Sequence, residues 1–379
     1  MAITRRHLLA QLIRGVAAGA SVAQLAAAKG HAAPRSSSEL RISGPIRLDL
    51  NENAYGASPQ AMAAICESAK AAFQYPTSTA DLSEAIAQHH GVHLDQIVLG
   101  CGSSEVLRMA ATSFLGPGRK MILASPTFDL VAGYGKALNA NVVKVPLRKN
   151  YSHDLEAMLA HAQGATGLVY VCNPNNPTGT LTERSEIEAF LRRLPATVNA
   201  VIDEAYHHYV ASSGAYASFL DRKVDNQNTI VIRTFSKAYG LAGARVGYAI
   251  ASAETAKKMK VDRLQFGVNQ AGLMAAMAAL GNQHHLDECA RRNADDRQEF
   301  FNQVNARMLR ALDSHTNFVC LNAIRPAVQI LEHYRRYNFL LAPLISGMPT
   351  YLRISLGKPE AMREFWRVWD MLDSHHMAM

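Results

Sequence analysis

The chain has 379 residues, 49% hydrophobic and 18% charged, with a formal net charge of +8, a length that suits one large α/β domain and a smaller one. Its five cysteines (Cys66, Cys101, Cys172, Cys289, Cys320) are odd in number and lack CxxC spacing, which argues against a disulfide framework or a cysteine metal site. No Lys/Arg run or basic helix supports a nucleic-acid footprint.

Residues 1–32 form a separate object. Thr4-Arg-Arg-His-Leu-Leu9 precedes an Ala-rich stretch, Val16 to Ala28, and Gly30-His-Ala32 offers small residues to a signal peptidase. This looks like a twin-arginine export signal, so a periplasmic or secreted protein is expected, with a cytoplasmic one as the alternative. Its apolar run is shorter than the ~20 residues of a spanning helix, and no other segment is long and apolar enough, so no stable membrane insertion is expected. The segment holds four bases (Arg5, Arg6, Arg14, Lys29) and no acids, leaving 8 − 4 = +4 on the rest.

Residues 33–75 are expected to form an N-terminal arm and residues 76–265 a large domain. Within it, Gln96–Leu99, Lys120–Ala124, Asn141–Val145, Leu168–Cys172, Ala200–Ile202, Thr229–Ile232 and Arg245–Ile250 read as strands alternating with helical segments. Such alternation predicts a mainly parallel sheet flanked by helices. A long helical stretch, Ala253 to Leu280, is predicted to break near Phe266-Gly267. The arm is expected to pack on a smaller α/β domain of residues 266–379. His89, His90 and His93 read as a solvated helix face rather than a metal site, because no acid or cysteine cluster accompanies them.

Three of these strands end in residues with chemical potential. Leu168-Val-Tyr-Val-Cys172 leads into Asn173-Pro-Asn-Asn-Pro-Thr-Gly179, and Ala200-Val-Ile202 into Asp203-Glu-Ala-Tyr206. Thr229-Ile-Val-Ile232 leads into Arg233-Thr-Phe-Ser-Lys-Ala-Tyr-Gly-Leu241. Ligands of open α/β sheets collect at the carboxyl ends of strands, so Asn176, Asp203 with Tyr206, and Lys237 are predicted to share one edge. A lysine held there, with hydroxyls and Arg245 beside it, suits attack on the aldehyde of a phosphate-bearing cofactor.

The ordered set resembles the pyridoxal-phosphate (PLP) aminotransferases of fold type I, in the histidinol-phosphate aminotransferase-like branch. The resemblance runs from Leu48-Asp-Leu-Asn-Glu-Asn-Ala-Tyr-Gly56 to Leu352-Arg-Ile-Ser-Leu-Gly357. It implies pyridoxal 5'-phosphate as cofactor, a small-molecule amino donor, a 2-oxo acid acceptor and a homodimer. It also implies that Lys237 carries the cofactor and moves a proton, Asp203 partners the pyridine nitrogen, and Tyr206 and Asn176 bond the ring's phenolic oxygen. Phosphate binding falls to Ser103 and Ser104 of Gly100-Cys-Gly-Ser-Ser-Glu105, where a helix opens, with Thr234, Ser236 and Arg245. Phe128, in Ser125-Pro-Thr-Phe128, takes the ring-stacking position, usually a tyrosine. Tyr55 matches a tyrosine that reaches the neighbouring subunit's cofactor phosphate, and Arg353 the arginine that clamps the substrate carboxylate.

One position departs from the pattern. The branch usually carries a phosphate-binding arginine eleven residues before Arg353, directly before a proline, and this chain has Ala342 before Pro343. The expected donor is therefore a non-phosphorylated amino acid or amine, with histidinol phosphate as the alternative. A PLP decarboxylase or lyase on the same scaffold stays open. A non-catalytic binding protein is disfavoured by the intact set from Asn176 to Arg353.

Overall fold

The computed structural model describes residues 44–76, 78–210, 215–221 and 227–374. The export-signal reading of residues 1–32 lies outside them.

Twelve strands were found among the described residues: β1 (Ile46–Leu48), β2 (Ile97–Cys101), β3 (Lys120–Ser125), β4 (Asn141–Pro146), β5 (Thr166–Cys172), β6 (Asn199–Asp203), β7 (Thr229–Thr234), β8 (Val246–Ile250), β9 (Arg310–Ala311), β10 (Phe318–Asn322), β11 (Phe339–Leu341) and β12 (Tyr351–Ser355). Seven build the main sheet in the order β2-β8-β7-β6-β5-β3-β4. All its pairings are parallel except the two made by β8, which runs antiparallel to β2 and β7. Each predicted strand is present.

Alternation along the strands explains why both faces are covered. In β5, Val169 and Val171 enter one core with Leu82, Ile86, Phe190 and Leu273 from helices 80–90, 184–193 and 270–280. Leu168, Tyr170 and Cys172 enter the other, with Val106, Met109, Val131 and Met259 from helices 102–114, 130–137 and 253–260. All seven residues of β5 are buried. Burial on both faces is why this strand reads as a nearly unbroken apolar run.

The predicted helical stretch 253–280 is two helices, Ala253–Lys260 and Gln270–Leu280. Its break, residues 261–269, is wider than expected and ends where Asn269 caps the second helix by accepting from Gly272 N. Beyond it, β12-β10-β9 form a small antiparallel sheet. It packs with helices 283–306, 327–336 and 359–374 around Phe300, Tyr334, Phe339, Phe365 and Trp366. Leu48 joins this core, and β1 pairs in parallel with β11.

The histidine reading needs correction at one position. His89 and His93 are exposed, His93 beyond the end of helix Ala80–His90, but His90 is half-buried, its Nε2 2.9 Å from the Tyr248 hydroxyl. Among the described residues no group of three or more His, Cys, Asp or Glu is placed to hold a metal, and no helix is long and apolar enough to cross a membrane.

Candidate active site

The parallel register places Cys172 beside Asp203 and Asp203 beside Ile232. The segments leaving β5, β6 and β7 therefore emerge at one edge, where they open a cavity of about 450 Å³. Its lining includes Ser103, Ser104, Phe128, Asn176, Asp203, Tyr206, Thr234, Ser236, Lys237, Arg245 and Arg353. Of the residues that the resemblance assigned to cofactor or substrate, Tyr55 alone is not in the lining.

Asp203 ends β6, 3% exposed. Its Oδ2 accepts from the Tyr170 hydroxyl at 2.8 Å and its Oδ1 from Ala205 N at 3.1 Å. Both partners are neutral, and burial outweighs them and the nearby Lys237, raising the carboxyl pKa from 3.8 to about 6. A carboxylate in this state favours a cationic N–H partner from inside the cavity.

Lys237 follows β7. Its Nζ donates to the carbonyls of Leu50 and Asn51 at 3.1 and 3.0 Å. Burial first, then Arg353, lowers its pKa from 10.5 to about 8, against the opposing pull of Glu52 and Asp203. The lowered pKa makes the neutral amine, which a nucleophile or proton acceptor requires, far more accessible near neutral pH than for an ordinary lysine.

At the opposite end of the cavity, helix Gly102–Phe114 begins where β2 stops. Two glycines permit the crowding there. A Cβ on Gly102, whose φ is +69°, would lie 2.2 Å from Arg245 Nη2, and one on Gly247 would lie 2.2 Å from Ser103 N. Arg245 is thus laid against the helix N-terminus, its Nη1 donating to Ala242 O at 3.0 Å and to Ser236 Oγ at 3.4 Å. N–H groups of a first helical turn, serine hydroxyls and a guanidinium converge there, a donor set suited to a phosphate dianion.

Arg353, on β12, closes the cavity from the small sheet. Its Nη1 donates to Asn176 Oδ1 at 2.7 Å and its Nη2 to Asp49 O at 2.5 Å, while its buried Nε has no hydrogen-bond partner among the described residues. An orphaned guanidinium N–H is costly unless a ligand oxyanion meets it. A side arm of about 210 Å³ continues past Arg353, Asn176 and Phe128 between Pro177, Ala342, Pro343, Leu344 and Ile345. Among the described residues, Arg353 is the only Lys or Arg in the lining of this arm. Arg335 and Arg336 are exposed and line neither space.

Tyr55 stands apart. Its hydroxyl donates to Asp296 Oδ2 at 2.8 Å, and burial with that contact raises its pKa to about 12. Sequence reasoning assigned no role to Asn51, Glu52 or Cys172, all of which line the cavity, or to Tyr170 beneath Asp203. The quoted Asn-Glu-Asn run was the one local signal for the first two.

Residues 43–368 match the model of the family "Aminotransferase class I and II". The chain is 34% identical over 331 residues to a histidinol-phosphate aminotransferase of Moorella thermoacetica, covering 87% of this chain and 86% of that protein. It is 37% identical over 340 residues to the Staphylococcus haemolyticus enzyme of the same name, covering 89% and 94%. Among solved structures, the histidinol-phosphate aminotransferase of Sinorhizobium meliloti in complex with pyridoxal-5'-phosphate superposes with a TM-score of 0.78 at 30% identity, covering 84% of this chain and 88% of that one. The chain belongs to the class I and II aminotransferase family: it has the type I fold, and it is a PLP-dependent transaminase.

Proposed function

We propose that this member of the class I and II aminotransferases moves an amino group from a donor of the histidinol-phosphate type to a 2-oxo acid. The relatives' names support the phosphorylated donor over the non-phosphorylated one expected from the sequence. The observation that carries the assignment of the substrate end is Arg353, whose guanidinium-bearing side chain lines both the main cavity and its side arm. A carboxylate and a phosphate monoester both satisfy it.

The residues present fit PLP. Asp203 is buried without a cationic hydrogen-bond partner, the helix start with Arg245 makes a phosphate cradle, and Phe128 offers an aromatic face. When bound, the cofactor supplies a sink for the electron pair left at the donor's Cα. Asp203 would keep a proton on the ring nitrogen. Lys237, neutral in part because its pKa is about 8, would take the proton from the donor's Cα and deliver it to the cofactor's C4′. Tyr206 and Asn176 would hydrogen-bond the ring's phenolic oxygen, and Arg353 would fix the donor's anionic group. In this reading the enzyme is a homodimer in which Tyr55 serves the neighbouring cavity.

One observation favours a second reading, a donor without phosphate: Ala342 lines the side arm where the branch's arginine is expected. Comparing kcat/KM for histidinol phosphate and histidinol on the holoenzyme separates the two. A preference for the phosphorylated compound above about a hundred-fold, the upper range of a charge-assisted bond, supports the first. A ratio near one refutes it in favour of the second.

A further inference from the structure

The oxygen of Tyr206 accepts from two side-chain amides, Asn51 Nδ2 at 3.0 Å and Asn176 Nδ2 at 3.4 Å. The O and N of an amide are alike in shape, so a neighbour of fixed polarity has to decide which way each points. Asn176 has such a neighbour. Arg353 Nη1 can only donate, and it sits 2.7 Å from the other atom of the Asn176 amide, which is therefore its oxygen. Asn51 is decided less directly. Its backbone N–H donates to Ser355 Oγ at 2.9 Å, and the serine hydroxyl donates in turn to Asn51 Oδ1 at 3.0 Å, which leaves Nδ2 to the phenol. Each amide is thus left with Nδ2 toward the phenol.

With its oxygen accepting twice, Tyr206 has its own proton free to donate into the cavity that it lines. Hydrogen bonds received by the phenol oxygen also make the O–H a stronger donor, because they stabilise charge on that oxygen.

We infer that Ser355 is a positioning residue that sets the direction and the donor strength of the Tyr206 hydroxyl, acting through Asn51. Ser355 is 4% exposed and lines neither cavity. It lies on β12, two residues from Arg353. The chain of contacts Arg353–Asn176–Tyr206–Asn51–Ser355 therefore starts and ends on the same strand of the small sheet. Asn51 has little freedom to adopt another arrangement. Its φ is +54°, in the left-handed region that asparagine adopts more readily than other non-glycine residues, and its backbone N–H is held by Ser355 Oγ. Its carbonyl is also occupied, receiving Lys237 Nζ and Asn317 Nδ2, each at 3.0 Å. One residue thus orients both the amine and the phenol of the site.

The inference rests on the aminotransferase reading, in which Tyr206 donates to the cofactor's phenolic oxygen. Such donation stabilises negative charge there and lets the lysine-linked nitrogen lose its proton at lower pH. The test is a pH titration of the bound cofactor's absorbance in the purified holoenzyme. Ser355→Ala should raise the midpoint by about half to one pH unit, the range of one lost neutral hydrogen bond. Ser355→Thr keeps the hydroxyl and should titrate as wild type. In a Tyr206→Phe background Ser355→Ala should shift nothing further. Asn51→Asp is a second, nearly isosteric probe: a carboxylate facing Tyr206 accepts its proton, turns it from the cavity and should raise the midpoint further. An unchanged midpoint in Ser355→Ala overturns the inference, as does an equal Ser355→Ala shift with and without the Tyr206 hydroxyl. A wild-type protein with no bound-cofactor absorbance would instead refute the aminotransferase reading itself.

Discussion

Replacing Asp203 by asparagine should stabilise the cofactor-free protein while disabling the loaded one. The carboxyl pKa is raised from 3.8 to about 6 by burial. A group that binds its proton more tightly folded than unfolded costs stability once ionised, so the cost grows as pH rises from about 4 through 6 and is complete at pH 7. A shift of about 2 units corresponds to about 3 kcal/mol. Asparagine has no charge to desolvate, but it offers one oxygen where Tyr170 and Ala205 N now find two. One mismatched hydrogen bond returns about 1 kcal/mol. The net expectation is about 2 kcal/mol of added stability at pH 7.5, shrinking at pH 5. Urea denaturation of cofactor-stripped wild type and Asp203→Asn at the two pH values measures it. With cofactor bound, the variant loses the proton partner of the ring nitrogen, and turnover should fall on the order of a thousand-fold, about 4 kcal/mol of barrier. A stripped variant no more stable than wild type at pH 7.5, or near-normal turnover, would refute the role given to this carboxylate.

Lys237→Ala should abolish the Schiff-base absorbance of the purified protein, and an unchanged spectrum would remove the lysine from the chemistry. His90 and His208 are held neutral, burial first and Arg233 next lowering each pKa from 6.5 to about 3. The unfolded chain binds protons that these residues refuse, so stability should be lost as pH falls from about 6.5 toward 3, by several kcal/mol at most. Phenylalanine at both positions should flatten that acid limb in a denaturation series. Arg5→Lys with Arg6→Lys should leave unprocessed protein in the cytoplasm if the N-terminus is a twin-arginine signal, since ammonium groups do not reproduce two guanidinium forks. Fractionation showing the double variant exported like wild type would refute it. Ala342→Arg should raise the kcat/KM preference for histidinol phosphate over histidinol by about ten- to a hundred-fold, from one charge-assisted bond of about 1.5–3 kcal/mol. An unchanged ratio would mean that the donor's phosphate does not enter the arm.

The parts of the molecule legible in the sequence share a physical cause. β5 declares itself because both of its faces are covered, which forces a nearly unbroken apolar run, and its chemistry sits at the point where that run ends. Asn176, Asp203 and Lys237 were readable as one edge for the same reason, since parallel strands deliver their carboxyl ends together. Tyr170 was hidden by this very pattern. Inside an apolar run it counts as one more core residue, and only the 2.8 Å contact across to β6 shows that its hydroxyl serves Asp203. His90, His207 and His208 were misread or passed over in the opposite sense. Adjacent polar residues look solvated, yet these meet tyrosines and each other around a buried Arg233. Ser355 is the extreme case. Its partner Asn51 lies 304 residues away, and a single hydroxyl on a strand leaves no periodicity, cap or turn for a local reading to detect. Backbone pattern therefore locates a site such as this one. The orientation of its proton donors is written in long-range pairs, and only the folded chain brings those together.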